Sequence, residues 1–190
     1  METAAAAWLN TTVAEKSGLD DFDAVMRDHW PKVFRFALAS LRDRSAAESL
    51  AQDCFLKAYQ ARESFRGESA VGTWLMQIAV NLMRDHSRNQ RLRFWKRTQI
   101  MAIEPAFAVD SVSDGRSSPE SSALAKQRLE AVWRAMDCLP EQQRTVFLLR
   151  FIEDMDLLEI AAATGLKEGT VKTHLFRALQ AVRRKVGGIL

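Results

Sequence analysis

Two cysteines, four prolines and eight glycines are all that the 190-residue chain holds of the residue types that most constrain a backbone. Each scarcity removes a class of architecture. Cys54 and Cys138 lie far apart with no C-x-x-C partner, and neither stands among histidines at metal-ligand spacing. A disulfide scaffold and a structural zinc are therefore excluded, and neither a metal nor another cofactor is expected. Each thiol is expected to be a small buried hydrophobe, the alternative being a redox-sensing thiol. So little glycine and proline excludes collagen, and 47% hydrophobic residues exclude a wholly disordered chain. No apolar run reaches the ~18 residues that a bilayer span requires. The Ala-rich start from Met1 to Leu9 has no preceding Lys or Arg and is too short for a secretory signal. The triplet Asn10-Thr11-Thr12 thus fits a glycosylation acceptor by pattern only, and a reduced, cytoplasmic setting is expected.

What is present is Ala, Leu, Arg, Glu and Gln with few β-branched residues, which favours an all-α protein. At roughly 150 residues per domain, the length allows one medium domain or two small ones. Apolar positions recur at three and four through Phe22, Val25, Met26, Val33, Phe34, Ala37, Leu38 and Leu41, which predicts a first helix capped by Asp20 or Asp21. Ser45 with Glu48 reads as the capping box of a second helix, with Leu50, Ala51, Cys54, Phe55, Ala58 and Tyr59 along one face. Phe65-Arg66-Gly67-Glu68-Ser69 breaks the pattern and offers a new cap, before Trp74, Leu75, Ile78, Ala79, Leu82 and Met83 resume it. From Gln99 to Ser122 the periodicity lapses into a Ser-rich acidic stretch with Pro105, Gly115 and Pro119, a flexible linker. A second helical region follows, with Leu124, Leu129, Val132, Trp133 and Met136 on one face and Pro140 in the first turn of the next helix. Two small helical domains joined by a flexible acidic linker are expected.

The residues from Leu157 to Leu175 describe a helix-turn-helix: a short apolar helix with small Ala161, a stop at Thr164-Gly165, apolar Leu166, then a helix from Thr170 to Val186. That last helix turns Thr170, Lys172, Thr173, Phe176 and Arg177 outward and packs Val171, Leu175, Ala178 and Leu179 inward, which suits the major groove of duplex DNA. The net charge is only +3, but cations gather here: Lys167, Lys172, Arg177, Arg183, Arg184 and Lys185 are opposed by Glu168 alone. A second cluster interleaves Arg84, Arg88, Arg91, Arg93, Lys96 and Arg97 with His86, Phe94 and Trp95. Aromatic faces among cations suit unpaired bases, whose rings stack and whose phosphates need neutralising.

Three motifs carry a resemblance. They are Ala46 through Tyr59, Phe65-Arg66-Gly67-Glu68-Ser69 through Leu82, and Leu139-Pro140-Glu141-Gln142-Gln143-Arg144 through Ala178. In this order and spacing the chain resembles the sigma-70 family of bacterial transcription initiation factors, in the compact extracytoplasmic-function (ECF) group that keeps only regions 2 and 4. The resemblance implies a flexible tail over 1–21, region 2 over 22–98, the linker over 99–122 and region 4 over 123–190. It implies that Glu48, Gln52, Asp53, Phe55 and Leu56 dock on the β′ clamp helices of core RNA polymerase. Phe65, Gly67, Glu68, Ser69, Trp74, Asn81, Arg84 and Arg88 would read the −10 element, a flipped base being held in a pocket whose contacts offset its unstacking. Lys167, Thr170, Lys172, Thr173, Phe176 and Arg177 would contact the −35 element, while region 4 docks on the β flap. The family often has an arginine where this chain has Lys172. An anti-sigma partner and a bacterial cytoplasmic location, with the nucleoid as the active site of residence, are implied as well.

Two other classes compete. Asp20, Asp21 and Asp23, or Glu153, Asp154 and Asp156, would have to hold a divalent cation for phosphodiester hydrolysis. Adjacent carboxylates at a helix end do not converge on one ion, however, and helix capping explains them better, so no enzyme is expected. A stand-alone helix-turn-helix regulator would need an effector pocket or a receiver-type βα pattern, and the first domain shows neither.

Overall fold

The computed structural model describes residues 19, 21–97 and 129–186, with side chains placed through Asn89 in the first stretch and Lys185 in the second. The expected tail, the acidic linker, Asp20 and the side chains of Arg91, Arg93, Phe94, Trp95, Lys96 and Arg97 lie outside that description. All regular structure among the described residues is helical. The first unit comprises α1 (Phe22–Leu41), α2 (Arg44–Ala61), a 3-10 turn (Arg62–Ser64) and α3 (Val71–Arg97). The second comprises α4 (129–137), α5 (Glu141–Phe151), α6 (Leu157–Thr164) and α7 (Glu168–Val186). No described helix is long and apolar enough to cross a membrane.

Short polar side chains decide where the helices begin. Asp21 caps α1 by accepting the Ala24 N–H at 3.0 Å. At α2 the cap is Asp43, which accepts the Ala46 N–H at 2.9 Å, and the expected Ser45–Glu48 box does not form. Ser45 already lies inside the helix, its carbonyl accepting the Ser49 hydroxyl, and Glu48 turns to Arg44 at 3.1 Å. Asp43 prevails because a carboxylate at that position is as good a cap as a serine and starts the helix two residues earlier. The α3 helix opens on Ala70, whose carbonyl accepts the Trp74 N–H at 3.1 Å, so Ser69 stands one residue outside it. Pro140 is the residue before α5 rather than in its first turn, extended at ψ 144°, and α7 begins two residues ahead of Thr170, at Glu168.

The core of the first unit is built from Val33, Phe36 and Ala37 of α1, Ala47, Leu50, Ala51, Cys54 and Ala58 of α2, and Leu75, Ala79 and Val80 of α3. Alanines at these crossings let the helices approach, while each fully buried Leu or Phe contributes about 1.5–3 kcal/mol. Gly72 serves the same end: a Cβ there would come within 3.2 Å of the His29 ring on α1. Burial first and Lys32 second lower the pKa of the His29 imidazole, against a weaker opposing pull from Asp28. In the second unit Val146, Phe147, Leu148 and Leu149 are buried in succession, because α5 packs on α1 as well as on α6 and α7. One continuous apolar cluster therefore joins the two units. Met26 and Leu129, expected inside, are instead exposed.

The two cysteines part company. Cys54 is fully buried, as expected, and burial pushes its thiol pKa up to about 12. Cys138 is exposed, since α4 ends just before it, and its sulfur lies 3.5 Å from Lys185 Nζ. Alkylation of the native protein at neutral pH is expected to label Cys138 alone, with Cys54 reacting only after unfolding, as read by intact-protein mass spectrometry. The raised Cys54 pKa also sets a sign. The unfolded thiol ionises near 9 and the folded one near 12, so stability should fall by about 1.4 kcal/mol per pH unit between those values. A Cys54→Ala variant should lack that slope in pH-dependent denaturant melts.

Candidate nucleic-acid interface

The helix-turn-helix is assembled by local chemistry. Asp156 accepts the Glu159 N–H at 2.8 Å while Glu159 Oε2 accepts the Asp156 N–H at 2.8 Å, a reciprocal capping box that starts α6. Gly165 ends it in the left-handed region at φ 71°, where its N–H reaches the Ala161 carbonyl at 2.9 Å. Such a φ is strained for any residue with a Cβ. The Lys167 carbonyl then accepts the Thr170 and Val171 N–H groups at 2.8 and 3.0 Å and launches α7.

On α7 the inward and outward faces fall as the periodicity requires. Val171 and Ala178 are buried and Leu175 and Leu179 half-buried, while Thr170, Lys172, Thr173, Phe176 and Arg177 face solvent. Phe176 is 61% exposed, an apolar ring largely open to solvent. Lys172 rests on Glu168 at 2.6 Å, and the Thr173 hydroxyl donates to the Gly169 carbonyl at 2.9 Å. Lys167 is exposed beside the turn, and Arg177 and Arg184 border a shallow depression of about 390 Å³ further along the helix.

The α3 face is divided. Asn81 and Arg88 are exposed, with Arg88 paired to Asp85 at 2.9 Å. In the preceding loop Gly67 takes φ 69°, Glu68 pairs loosely with Arg66 at 3.8 Å, and Ser69 is half-buried. Phe65, expected at the DNA surface, is instead buried, its ring centroid 4.9 Å from that of half-buried Trp74. It supports the loop from beneath. Arg84, expected to reach a DNA backbone, points to the second unit, where its Nη2 donates to the Thr164 carbonyl at 2.8 Å.

On α2, Glu48, Gln52, Asp53 and Leu56 are exposed, Leu56 at 56%. Phe55 is a correction: it is buried, stacked on Trp30 at 5.6 Å and edge-on to Phe22 at 6.4 Å, so it belongs to the core. Tyr59, half-exposed beneath the Arg62 guanidinium at 4.0 Å, extends the exposed face and was not singled out from sequence for it. Of the acidic residues weighed for a cation, Asp21 and Asp156 serve as helix caps and Glu153 is engaged by Arg35.

Against known proteins, residues 25–93 match the family model for sigma-70 region 2 and residues 129–182 that for sigma-70 region 4. The ECF RNA polymerase sigma-E factor of Escherichia coli K12 is 36% identical over 139 residues, 71% of each chain. The ECF sigma factor SigW of Bacillus subtilis is 26% identical over 172 residues, 90% of this chain and 92% of SigW. Among solved structures, the sigma factor RpoE in complex with the anti-sigma factor NepR from Bartonella quintana superposes with a TM-score of 0.70 at 22% identity, covering 88% of this chain and 97% of RpoE. CnrH in complex with the cytosolic domain of CnrY gives 0.64 at 21% identity over 94% of this chain and 96% of CnrH. The two family matches fall on the two helical units in turn, which makes the class that of a two-region transcription initiation factor. The chain belongs to the sigma-70 family, as an ECF sigma factor.

The capping box makes the turn geometry testable. Asp156→Ala removes the cap of α6 at a cost of about 1 kcal/mol, which lowers Tm by roughly 2–4 °C for a chain of this size. Asp156→Asn should retain most of that stability in the same calorimetric scan.

Proposed function

We propose that the chain binds bacterial core RNA polymerase and directs it to promoters through three separate surfaces. Glu48, Gln52, Asp53 and Leu56, extended by Tyr59, form the face that docks on the β′ clamp helices: apolar anchors within a charged rim, as productive interfaces require. The loop through Gly67, Glu68 and Ser69, with Trp74, Asn81, Arg84 and Arg88 of α3, handles the melted −10 element. Asn81 offers both a donor and an acceptor to an extruded base. Lys167, Thr170, Lys172, Thr173, Phe176 and Arg177 take the −35 element in the major groove, while region 4 docks on the β flap. The division is a tail over 1–21, region 2 over 22–98, a linker over 99–122 and region 4 over 123–190. The protein acts as a binding factor without catalysis of its own, in the cytoplasm and at the nucleoid when active. An anti-sigma partner is supported by the RpoE neighbour, which is held by one.

The observation that carries this reading is the outward row of α7, where hydroxyls, cations and one exposed ring stand on a single face with the apolar residues turned away. Hydroxyls and cations serve base edges and phosphates, and an apolar ring serves a thymine methyl.

The test is multi-round transcription with core polymerase on a pool of promoter templates. Specific starts should appear only with the protein and vanish in Asn81→Ala and in Lys172→Ala/Arg177→Ala. For duplex binding by the holoenzyme, each lost phosphate contact should also shallow the log-affinity against log-salt slope by about 1. Core polymerase left inactive while the protein alone retards duplex DNA would make it a stand-alone regulator and remove the α3 assignments.

A further inference from the structure

One acid stands among the cations of the last helix. From Lys167 to Lys185 the chain carries Lys167, Lys172, Arg177, Arg183, Arg184 and Lys185, and Glu168 is the single carboxylate between them. Phosphates repel a carboxylate, so an acid at the DNA-facing end of a cationic helix weakens every duplex complex unless donors answer it there. A carboxylate in the first turn of α7 does favour the helix start through the dipole, but an aspartate would serve that purpose as well. What glutamate adds is reach.

That reach is used. Glu168 Oε1 lies 2.6 Å from Lys172 Nζ, one turn along the helix, and both side chains stay open to solvent, at 41% and 59% exposure. Exposed Gly169 adds no side chain on that side. The pair therefore presents a donor and an acceptor side by side at the end of α7 that enters the groove. Lys172 keeps two of its three N–H donors, whereas Glu168 offers acceptors only. The Thr173 hydroxyl has given its proton to the Gly169 carbonyl, so it adds no second donor beside Lys172.

These donors and acceptors match one base pair. In the major groove guanine shows two acceptors, O6 and N7, and the cytosine opposite shows its N4 amino donor. Reversing the pair sets the ammonium against the amine and the carboxylate against the two acceptors. An A·T pair in either orientation gives Lys172 one acceptor at most. A lysine alone, on its flexible stem, would swing to a guanine on either strand. A lysine tethered to a carboxylate cannot do so without turning that carboxylate onto guanine.

We propose that Glu168 is a specificity-determining residue of the −35 contact: the Glu168–Lys172 ion pair spans the major-groove edge of one G·C pair, Lys172 donating to guanine O6 and N7 and Glu168 accepting from cytosine N4. The proposal deepens the reading of α7 given above and rests on it.

The experiment measures binding of the holoenzyme to a duplex promoter taken from the transcribed pool, with all four base pairs placed in turn at each −35 position. The wild-type protein should prefer G·C to the reversed C·G at one position. Glu168→Ala should lower that preference about tenfold, the worth of one good base contact, while the other positions keep their order. An unchanged preference overturns the proposal. So does a loss shared equally by all positions, which marks a merely structural role at the start of α7. Should Glu168→Ala not fold, Glu168→Asp keeps the charge at the helix start, falls short by a methylene and applies the same test in the same direction. A −35 profile that survives Lys172→Ala/Arg177→Ala overturns instead the reading of α7 on which the pair rests.

Discussion

A carboxylate shut away from water must be neutralised, and the pairing of Glu153 with Arg35 meets that requirement between two units that are otherwise separate in sequence. Burial pushes the Glu153 carboxyl pKa up, while the Arg35 fork and the nearby Lys32 pull it down. Desolvation is the largest of these effects, so the pair is not a free gain in stability. What it supplies is position. A forked guanidinium admits few geometries, and with α1 and α5 held together in this way, α6 lies along α3 and α7 is turned outward. The exposed row of α7 is thus a consequence of where α5 and α6 are anchored as well as of the helix's own amphipathicity.

Much of this was legible from local chemistry. The three-and-four spacing of apolar residues marks every described helix, and the Asp156–Glu159 box and Gly165 mark α6 to its last residue. The faces of α7 follow from spacing alone. The errors were of two kinds. One is the capping box expected at Ser45, where Asp43 two residues earlier caps α2 instead. Where a motif was matched as a block, core residues were carried along with surface ones: Phe55 stands on the same face as Ala47, Leu50, Ala51, Cys54 and Ala58, and its burial was readable from that periodicity. Phe65 differs, because a loop has no period to consult.

The seam between the two units had no local signature at all. Arg35 and Glu153 are 118 residues apart, and Arg84 meets a backbone carbonyl, which no side-chain pattern announces. The acidic run from Glu153 to Asp156 looks like generous helix capping, yet its members do different work. Asp156 caps α6, Glu153 turns inward to Arg35, and Asp154 takes the left-handed bend that lets its two neighbours diverge. Only the tertiary arrangement separates those roles.

The cations of the chain then fall into two energetic classes. Lys172 on Glu168 and Arg88 on Asp85 are exposed pairs within one helix, and such pairs contribute only about 0–1 kcal/mol. Releasing them to a phosphate costs little, and the counterions freed from DNA offset it. Arg35 cannot be released on those terms, because its departure leaves a carboxylate in an apolar seam. Arg84 lies between the classes: its acceptor is a neutral carbonyl at a helix end, weaker than a carboxylate and favourable to a cation through the helix dipole.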